Sequence, residues 1–461
     1  MIVDLKPYAE YKAAGARLLG AVPAHWRVAK MRGLVRLRNE RNRIDLPLLS
    51  VARERGVFVR HGSGEENHNV IPDDLSNYKV ARGGDLVVNK MKAWQGSMGI
   101  APCDGIVSPA YFVFRLAVDD VRYGQALLRS RPYVGLFAAA SDGVRVGQWD
   151  LSIAGLREIP VLLPPQDEQA AIVRFLDYAN GRLDRAIRAK RKVIALLQEQ
   201  KQVIIHRAVT RGLDPAVPLK PSGVPWLCDI PQHWEVRRVK QATRIIRGKF
   251  SHRPRNDPAF YGGPYPFIQT GAVARAQKFV VRYEQTLNER GLAVSKLFPV
   301  GTLMMTIAAN IGDVAVLTFD ACFPDSIVGF VPADHINRDF LYLVFLCMKS
   351  ELLREAPVNT QGNLSVERIG DMMVPVPPLA EQESIAAHVD RENAGFAGTE
   401  SMLHREIELL REYRTRLTAD VVTGKLDVRE AARNLPKEPH DADEPPADEP
   451  EDLVDEEVGP E

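Results

Sequence analysis

The chain has 461 residues, enough for two or more domains with cores of their own. Its four cysteines (Cys103, Cys228, Cys322, Cys347) form no CxxC pair, which argues against a zinc site or a disulfide framework and fits a reducing compartment. No signal-peptide pattern opens the chain and no apolar run reaches the length of a membrane span, so a soluble, cytoplasmic protein without membrane contact is expected. The net charge of +1 conceals an asymmetry. Residues 429–461 carry thirteen Asp or Glu and three Lys or Arg, a net of −10, which leaves +11 on residues 1–428. A tail so rich in Pro and acid, and so poor in large apolar side chains, is expected to be disordered. The basic remainder favours an acidic partner such as nucleic acid, although a merely solvated surface has the same composition.

Taken in order, the first marked stretch is GARLLGAVPAHWRV at 15–28. It returns as GVPWLCDIPQHWEV at 223–236, with Pro23 matching Pro231 and His25–Trp26 matching His233–Trp234, 208 positions on. The tryptophan reads as an apolar anchor with an N–H to satisfy. The histidine reads as structural, since no matching nucleophile or carboxylate accompanies it. From 27 to 158, short apolar runs at 48–51, 57–59, 85–89, 99–102 and 110–116, separated by Gly, Asn, Asp and Pro, predict strands. A short helix over 125–139 follows. Leu151–Ser152, repeated as Leu364–Ser365, predicts a turn or helix start capped by the serine.

The stretch at 162–214, beginning LLPPQDEQAAIVRFLD, is the one around which the rest is arranged. It recurs at 374–427: Pro164–Pro165 aligns with Pro377–Pro378, Glu168–Gln169 with Glu381–Gln382, and Leu213–Asp214 with Leu426–Asp427, all 213 positions apart. Such self-similarity outranks any local motif. Each copy predicts one long helix. The Pro pair ends a strand, Asp167, Glu168 and Glu381 suit a first helical turn, and Gly212 and Gly424 suit the C-terminal stop. Apolar residues recur at steps of three and four: Ile172, Leu176, Ala179, Leu183, Ala186, Val193, Leu197 and Ile204 in the first copy, and Ile385, Val389, Phe396, Leu403, Leu410, Tyr413 and Leu417 in the second. That is coiled-coil spacing, and about 43 residues make a rod of about 65 Å. Two such rods most simply pack antiparallel about a pseudo-twofold axis. Between them the first scheme repeats, with strands expected at 266–270, 302–307, 313–318 and 326–331 and a helix at 340–353. The expected plan is α+β: a globular domain at 1–158, a helical spacer at 159–214, a second domain at 215–372, a second spacer at 373–428 and the acidic tail at 429–461.

Catalytic apparatus is sparse. GxxxxGK[ST], GxGxxG and Gly-x-Ser-x-Gly are absent, and so is the Asn/Asp-Pro-Pro-aromatic motif of amino-methyltransferases. His61 and His68 in HGSGEENHN have no second metal-binding segment to support a nuclease, and no metal site is expected. What remains is recognition chemistry, Arg, Lys, Asn and Gln for base edges and Ser and Thr for phosphates. In the first domain the loops RGGD at 82–85, NKMKAWQGS at 89–97 and DGVRVGQWD at 142–150 supply Arg82, Lys90, Lys92, Trp94, Gln95, Ser97, Arg145 and Gln148 as candidate DNA contacts. In the second, RIIRGKFSHRPRND at 244–257 supplies Arg247, Lys249, Arg253 and Arg255. The loops FIQTGAVAR, TIAANIGD and NTQGNLS add Gln269, Thr270, Asn310, Gln361 and Asn363. Trp94 among Lys90, Lys92 and Gln95 suits a nucleic-acid surface. A Trp folded inward beside solvated lysines is the plainer alternative.

The duplicated Pro-Pro-x-x-Glu-Gln helix, the lead from Tyr8 through Gly15, Leu18, Leu19 and Gly20 into Pro23-x-His25-Trp26, Gly84–Asp85–Leu86 and GIVSPA at 105–110 together resemble the specificity subunits of type I restriction–modification systems. The resemblance covers nearly all of 1–428. The second unit departs from it, with Gly301–Thr302 for Gly84–Asp85 and FPDS at 323–326 for the Val-Ser-Pro run. The resemblance implies two target-recognition domains, each reading half of a split, asymmetric site on double-stranded DNA. It also implies paired helices that set the spacer and dock two DNA methyltransferase (modification) subunits, with two motor-nuclease (restriction) subunits as further partners. The subunit itself is then non-catalytic and cofactor-free, with S-adenosylmethionine, ATP and Mg on the partners. Two other readings stand beside it: a specificity protein of a related type II restriction–methylation enzyme, and a coiled-coil interaction scaffold with no DNA role.

Overall fold

The computed structural model describes residues 5–436, apart from 54, 61–73, 144–148, 253–254 and 356–363. It divides into two compact units, one within 1–189 and 406–461 and the other within 190–405. The first unit runs through β1 (Arg27–Lys30), β2 (Val35–Leu37), β3 (Leu86–Asn89), β4 (Met98–Ile100), β5 (Tyr111–Leu116), α1 (Val121–Leu128), α2 (Arg131–Ala139), α3 (Ile153–Glu158) and β6 (Pro160–Leu163). Its antiparallel sheet has the order β2-β5-β3-β4. β1 and β6 form a separate pair, Val28 opposite Leu162, so the segment entering the domain lies beside the one leaving it.

The long helix α4 (Gln166–Arg211) leads to the second unit. There the order is β7 (Glu235–Arg238), β8 (Thr243–Arg247), β9 (Tyr261–Phe267), α5 (Thr270–Arg275), β10 (Phe279–Val280), β11 (Leu303–Thr306), β12 (Val314–Leu317), β13 (Ala321–Cys322), β14 (Ile327–Pro332), α6 (Arg338–Glu355), α7 (Val366–Asp371) and β15 (Met373–Val376). Its main sheet has the order β8-β14-β11-β12-β10. β7 pairs with β15 as β1 does with β6. The second long helix, α8 (Leu379–Val422), and α9 (Arg429–Arg433) come last. The fold is thus mixed α+β with two long helices packed together.

Three expectations change in detail. The helix expected over 125–139 is two helices, broken before the turn that holds Pro132, where an interior proline would lose a helical hydrogen bond. Thr270 opens α5 rather than ending a strand. The tail does not begin at 429: α9 is helical, and Ala431 and Ala432 are buried in the first unit's core. The serine caps are present, Ser152 Oγ accepting from the Gly155 amide and Ser365 Oγ from the Arg368 amide.

The helices run antiparallel within each unit. In the first, Ile172, Leu176 and Ala179 of α4 share a core with Leu417, Val421 and Val422 of α8, and Asp184 pairs with Arg414. In the second, Ile205, Ala208 and Val209 share one with Ile385 and Val389. The buried line differs from the expected heptads. Ile187, Ile194 and Ile205 are buried where Ala186, Val193 and Ile204 were expected, and Val193 is 43 % exposed. On α8, Ile407 is buried and Tyr413 is exposed. Ile172, Leu183, Ile194 and Ile205 stand eleven residues apart, a repeat of about 3.67 residues per turn. A strict heptad drifts about 20° per repeat on a straight helix, so after two or three repeats the expected seam is off by one residue.

The helix ends explain the repeated motifs. Glu168, 2 % exposed, accepts hydrogen bonds from the Trp26 indole at 3.0 Å and the Tyr8 hydroxyl, and pairs with His25 Nε2 at 2.8 Å. Glu381 does the same with the Trp234 indole at 3.1 Å and His233 at 2.9 Å. The histidines therefore do have a carboxylate partner, contrary to the sequence reading, although its role is structural. It reaches them from the first turn of the long helix more than 140 positions away. Gln169 and Gln382 are buried at the next position. Their amides donate to the Pro164 and Pro377 carbonyls, closing the turn, and their oxygens accept from the Asp120 and Asn337 amides, which start α1 and α6. The tryptophans also touch the far end of the other long helix. A Cβ on Gly424 (φ +75°) would lie 3.0 Å from Trp26, and one on Gly212 (φ +73°) 3.3 Å from Trp234. Each end of the helix pair is thus closed by one Trp and one Glu.

Candidate nucleic-acid interface

In the first unit, β3 carries the chain into the turn that holds Lys90, Met91, Lys92 and Trp94. Trp94 packs edge-on against Trp149, with ring centroids 5.2 Å apart, and its indole donates to the Met91 carbonyl. Lys90 pairs with Asp150 at 2.9 Å, and its carbonyl accepts from the Leu151 amide. The loops at 89–97 and 142–150 therefore meet. Lys92 and Met91 project into solvent, Met91 being 48 % exposed, while Ser97 is buried. Lys79 donates to the Tyr111 carbonyl at 2.6 Å, at the same end of the sheet, where Tyr111 stands opposite Asn89. Burial lowers the Lys79 pKa, with the charges of Arg41 and Lys90 adding to the effect.

Arg82 is not part of this group. It precedes β3 while Trp94 comes after it, so about 13 Å of strand separates them. Its guanidinium is held by Asp104 at 2.7 Å and Glu40 at 2.6 Å, and the Asp104 hydrogen bond raises its pKa above the usual arginine value. Asp85 beside it is buried, paired with Arg38 and accepting from the Arg82 amide. It stabilises the strand entry, as the Thr302 hydroxyl does by donating to the Pro299 carbonyl in the second unit.

The second unit gathers its loops around the connection from β13 to β14. Arg247 Nε donates to the Asp325 carbonyl at 2.8 Å, Arg255 pairs with the Asp325 carboxylate, and the Lys249 amide donates to the Phe323 carbonyl. Lys249 is exposed. The Ile268 amide, next to Gln269, donates to the Cys322 carbonyl, and Gln269 bonds Gln285. Thr306, opposite Ile327 in the ladder, starts the turn containing Asn310, whose carbonyl accepts from the Thr306 hydroxyl. The Leu364 amide donates to the Ile307 carbonyl as that of Leu151 does to Lys90. Arg145, Gln148, Arg253, Gln361 and Asn363, and the HGSGEENHN stretch, lie outside the described residues.

Both units thus bring polar and basic loops to the same end of equivalent strands, β3 and β11. The chemistry there differs: a tryptophan pair flanked by lysines in one, and arginines about an aspartate in the other. Sequence reasoning missed Trp149 and Asp325. A second Trp beside an acidic residue in an already suspect loop was the available sign of the first. Among the described residues no three His, Cys, Asp or Glu side chains group as metal ligands, and no helix is long and apolar enough to cross a membrane.

Residues 231–408 match the family model described as the type I restriction modification DNA specificity domain. A putative type I restriction enzyme MjaX specificity subunit from Methanocaldococcus jannaschii is 20% identical over 454 residues, 93% of this chain and 100% of that one. The MjaIX specificity subunit of the same organism is 25% identical over 162 residues, 34% of this chain and 37% of its own length. A solved chain from work on complex assembly and conformational transition of the type I R-M system superposes with a TM-score of 0.63 at 16% identity, over 88% of this chain and 99% of that chain. Residues 231–408 thus carry a type I restriction modification DNA specificity domain, and the chain is similar along most of its length to a type I specificity subunit.

Proposed function

We propose that each unit reads one half of a split, asymmetric site on double-stranded DNA, and that the paired long helices set the unread spacer and dock two modification subunits. The observation that carries this is the convergence of unlike loops at equivalent strand ends on the same β1·β6 and β7·β15 frame. A common frame with divergent tips is what two readers of different sequence require, because base edges are read by side-chain identity while the frame only positions them. Lys92, Trp94 and Trp149 are the proposed contacts of the first unit, and Lys249, Arg247 and Asn310 those of the second. S-adenosylmethionine, ATP and Mg belong to the partners, and two restriction subunits complete a cleaving complex.

The test is an exchange of residues 27–158 for the matching domain of another family member, with genome-wide mapping of methylated adenines afterwards. One half of the methylated motif should change while the other half and the spacer persist. Change in both halves would contradict independent readers. Binding to the motif should also weaken steeply with salt, since phosphate neutralisation releases counterions. Salt-insensitive behaviour, with no duplex binding, would favour a scaffold.

A further inference from the structure

The turn after β3 presents one apolar side chain outward among charged ones. Met91 is 48 % exposed and stands between Lys90 and Lys92. Its backbone is held on both sides. The Met91 amide donates to Asn89 Oδ1 at 3.2 Å, and its carbonyl accepts from the Trp94 indole at 3.1 Å. Asn89 is itself buried, and its carbonyl accepts from the Lys92 amide. The 3-10 turn that follows (Ala93–Gln95) packs on α2, where a Cβ on Gly96 (φ +94°) would lie 3.2 Å from Val134. The Met91 side chain is therefore carried by a preorganised turn, which lowers the cost of ordering it in a contact.

The frame of the domain does not require a methionine here. The Lys90 carbonyl takes the Leu151 amide as the Ile307 carbonyl takes that of Leu364, so Met91 and Ala308 follow equivalent residues. The second unit thus builds the same frame with a methyl side chain at that place. A thioether has no donor and only a weak acceptor, so it cannot read the polar edge of a base. In the major groove only thymine adds an apolar group, its C5 methyl. The flexible, polarizable methionine side chain adapts readily to such a surface. Lys90 is turned back onto Asp150, whereas Lys92 projects into solvent beside Met91, where its charge would draw a phosphate in.

We propose that Met91 is a specificity-determining residue of the first unit, packing against the C5 methyl of one thymine in its half-site. The inference rests on the first unit being a DNA reader and goes further by naming the base and the group read.

The test uses the full chain assembled with its modification subunits and a duplex carrying the methylated motif. Each thymine of the first half-site, on either strand, is replaced in turn by deoxyuridine, which removes only the C5 methyl. One replacement should weaken binding about three- to fivefold, the worth of one buried methyl group. Met91→Gln, close in size but polar, should bind thymine and deoxyuridine alike at that position, and Met91→Leu should restore the preference. The proposal is overturned if no replacement weakens binding, or if the same weakening persists in Met91→Gln. A duplex whose first half-site is replaced by unrelated bases tells the two levels apart. Loss of binding there, with no effect of any single deoxyuridine, sinks the methionine contact alone. Equal binding to the motif and to that duplex sinks the reader as well.

Discussion

Glu168 and Glu381 occupy matching positions but unequal surroundings. Glu168 is nearly inaccessible and takes three donors, Tyr8, His25 and Trp26. Glu381 is 27 % exposed and takes two, since Ala216 stands where Tyr8 stands in the first unit. Removing a buried carboxylate strands its donors away from water, which costs more than the bonds themselves. Glu168→Ala should destabilise the first unit by about 3 kcal/mol, and Glu381→Ala the second by about 1 kcal/mol. Urea titrations with amide-exchange protection read on β3 and β11 would measure both. Equal losses would mean that burial does not set the difference. Burial also raises the Tyr8 pKa, with the Glu168 hydrogen bond adding to the effect, so the phenol stays a donor well above its ordinary range. Much of this was half visible in the sequence. The repeat marked Glu-Gln and His-Trp as paired features, but nothing in either stretch says that they bond each other. A contact across more than 140 positions has no local signature, so the histidines looked partnerless.

At the level of elements, the strands were legible because short alternating runs between Gly, Asn and Pro leave little choice. β3, β5, β11, β12 and β14 fall within one or two residues of expectation. The long helices were legible from length and end signals, with both terminal glycines at positive φ as expected. The seam was not, because three- and four-residue steps fit a heptad and an eleven-residue repeat equally over two turns and part only over five or six. Substitutions decide between them. Ile194→Ala should cost about 2–4 kcal/mol, as for a buried branched side chain, whereas Val193→Ala should stay within about 0.5 kcal/mol. Thermal unfolding monitored by helical circular dichroism provides the comparison, and the reverse order would restore the heptad.

For the whole molecule, the units do not keep to the order of the chain. The sequence divides naturally into domain, helix, domain, helix, tail. The first compact unit, however, takes its core from both ends of the chain: Leu417, Val421, Val422, Val428, Ala431 and Ala432 lie in one cluster with Trp26, Leu86 and Phe114. The second unit is continuous in sequence. Periodicity reports which face of a helix is buried but not which domain buries it, so this partition could not be read in advance. It has a consequence for truncation. A chain ended after Arg405 keeps every residue of the second unit and removes eight buried apolar side chains from the first, six of them from the core that holds Trp26. At about 1.5 to 3 kcal/mol for each larger side chain, that loss is comparable with the total stability of an ordinary domain. Amide exchange should show β3 and β5 unprotected in the truncated chain while β11 and β14 remain protected. If β3 and β5 stayed protected, the first domain would hold a core sufficient without α8, and the helix end would serve only to join the two domains. Loss of protection in all four strands would mean instead that the second unit depends on the first.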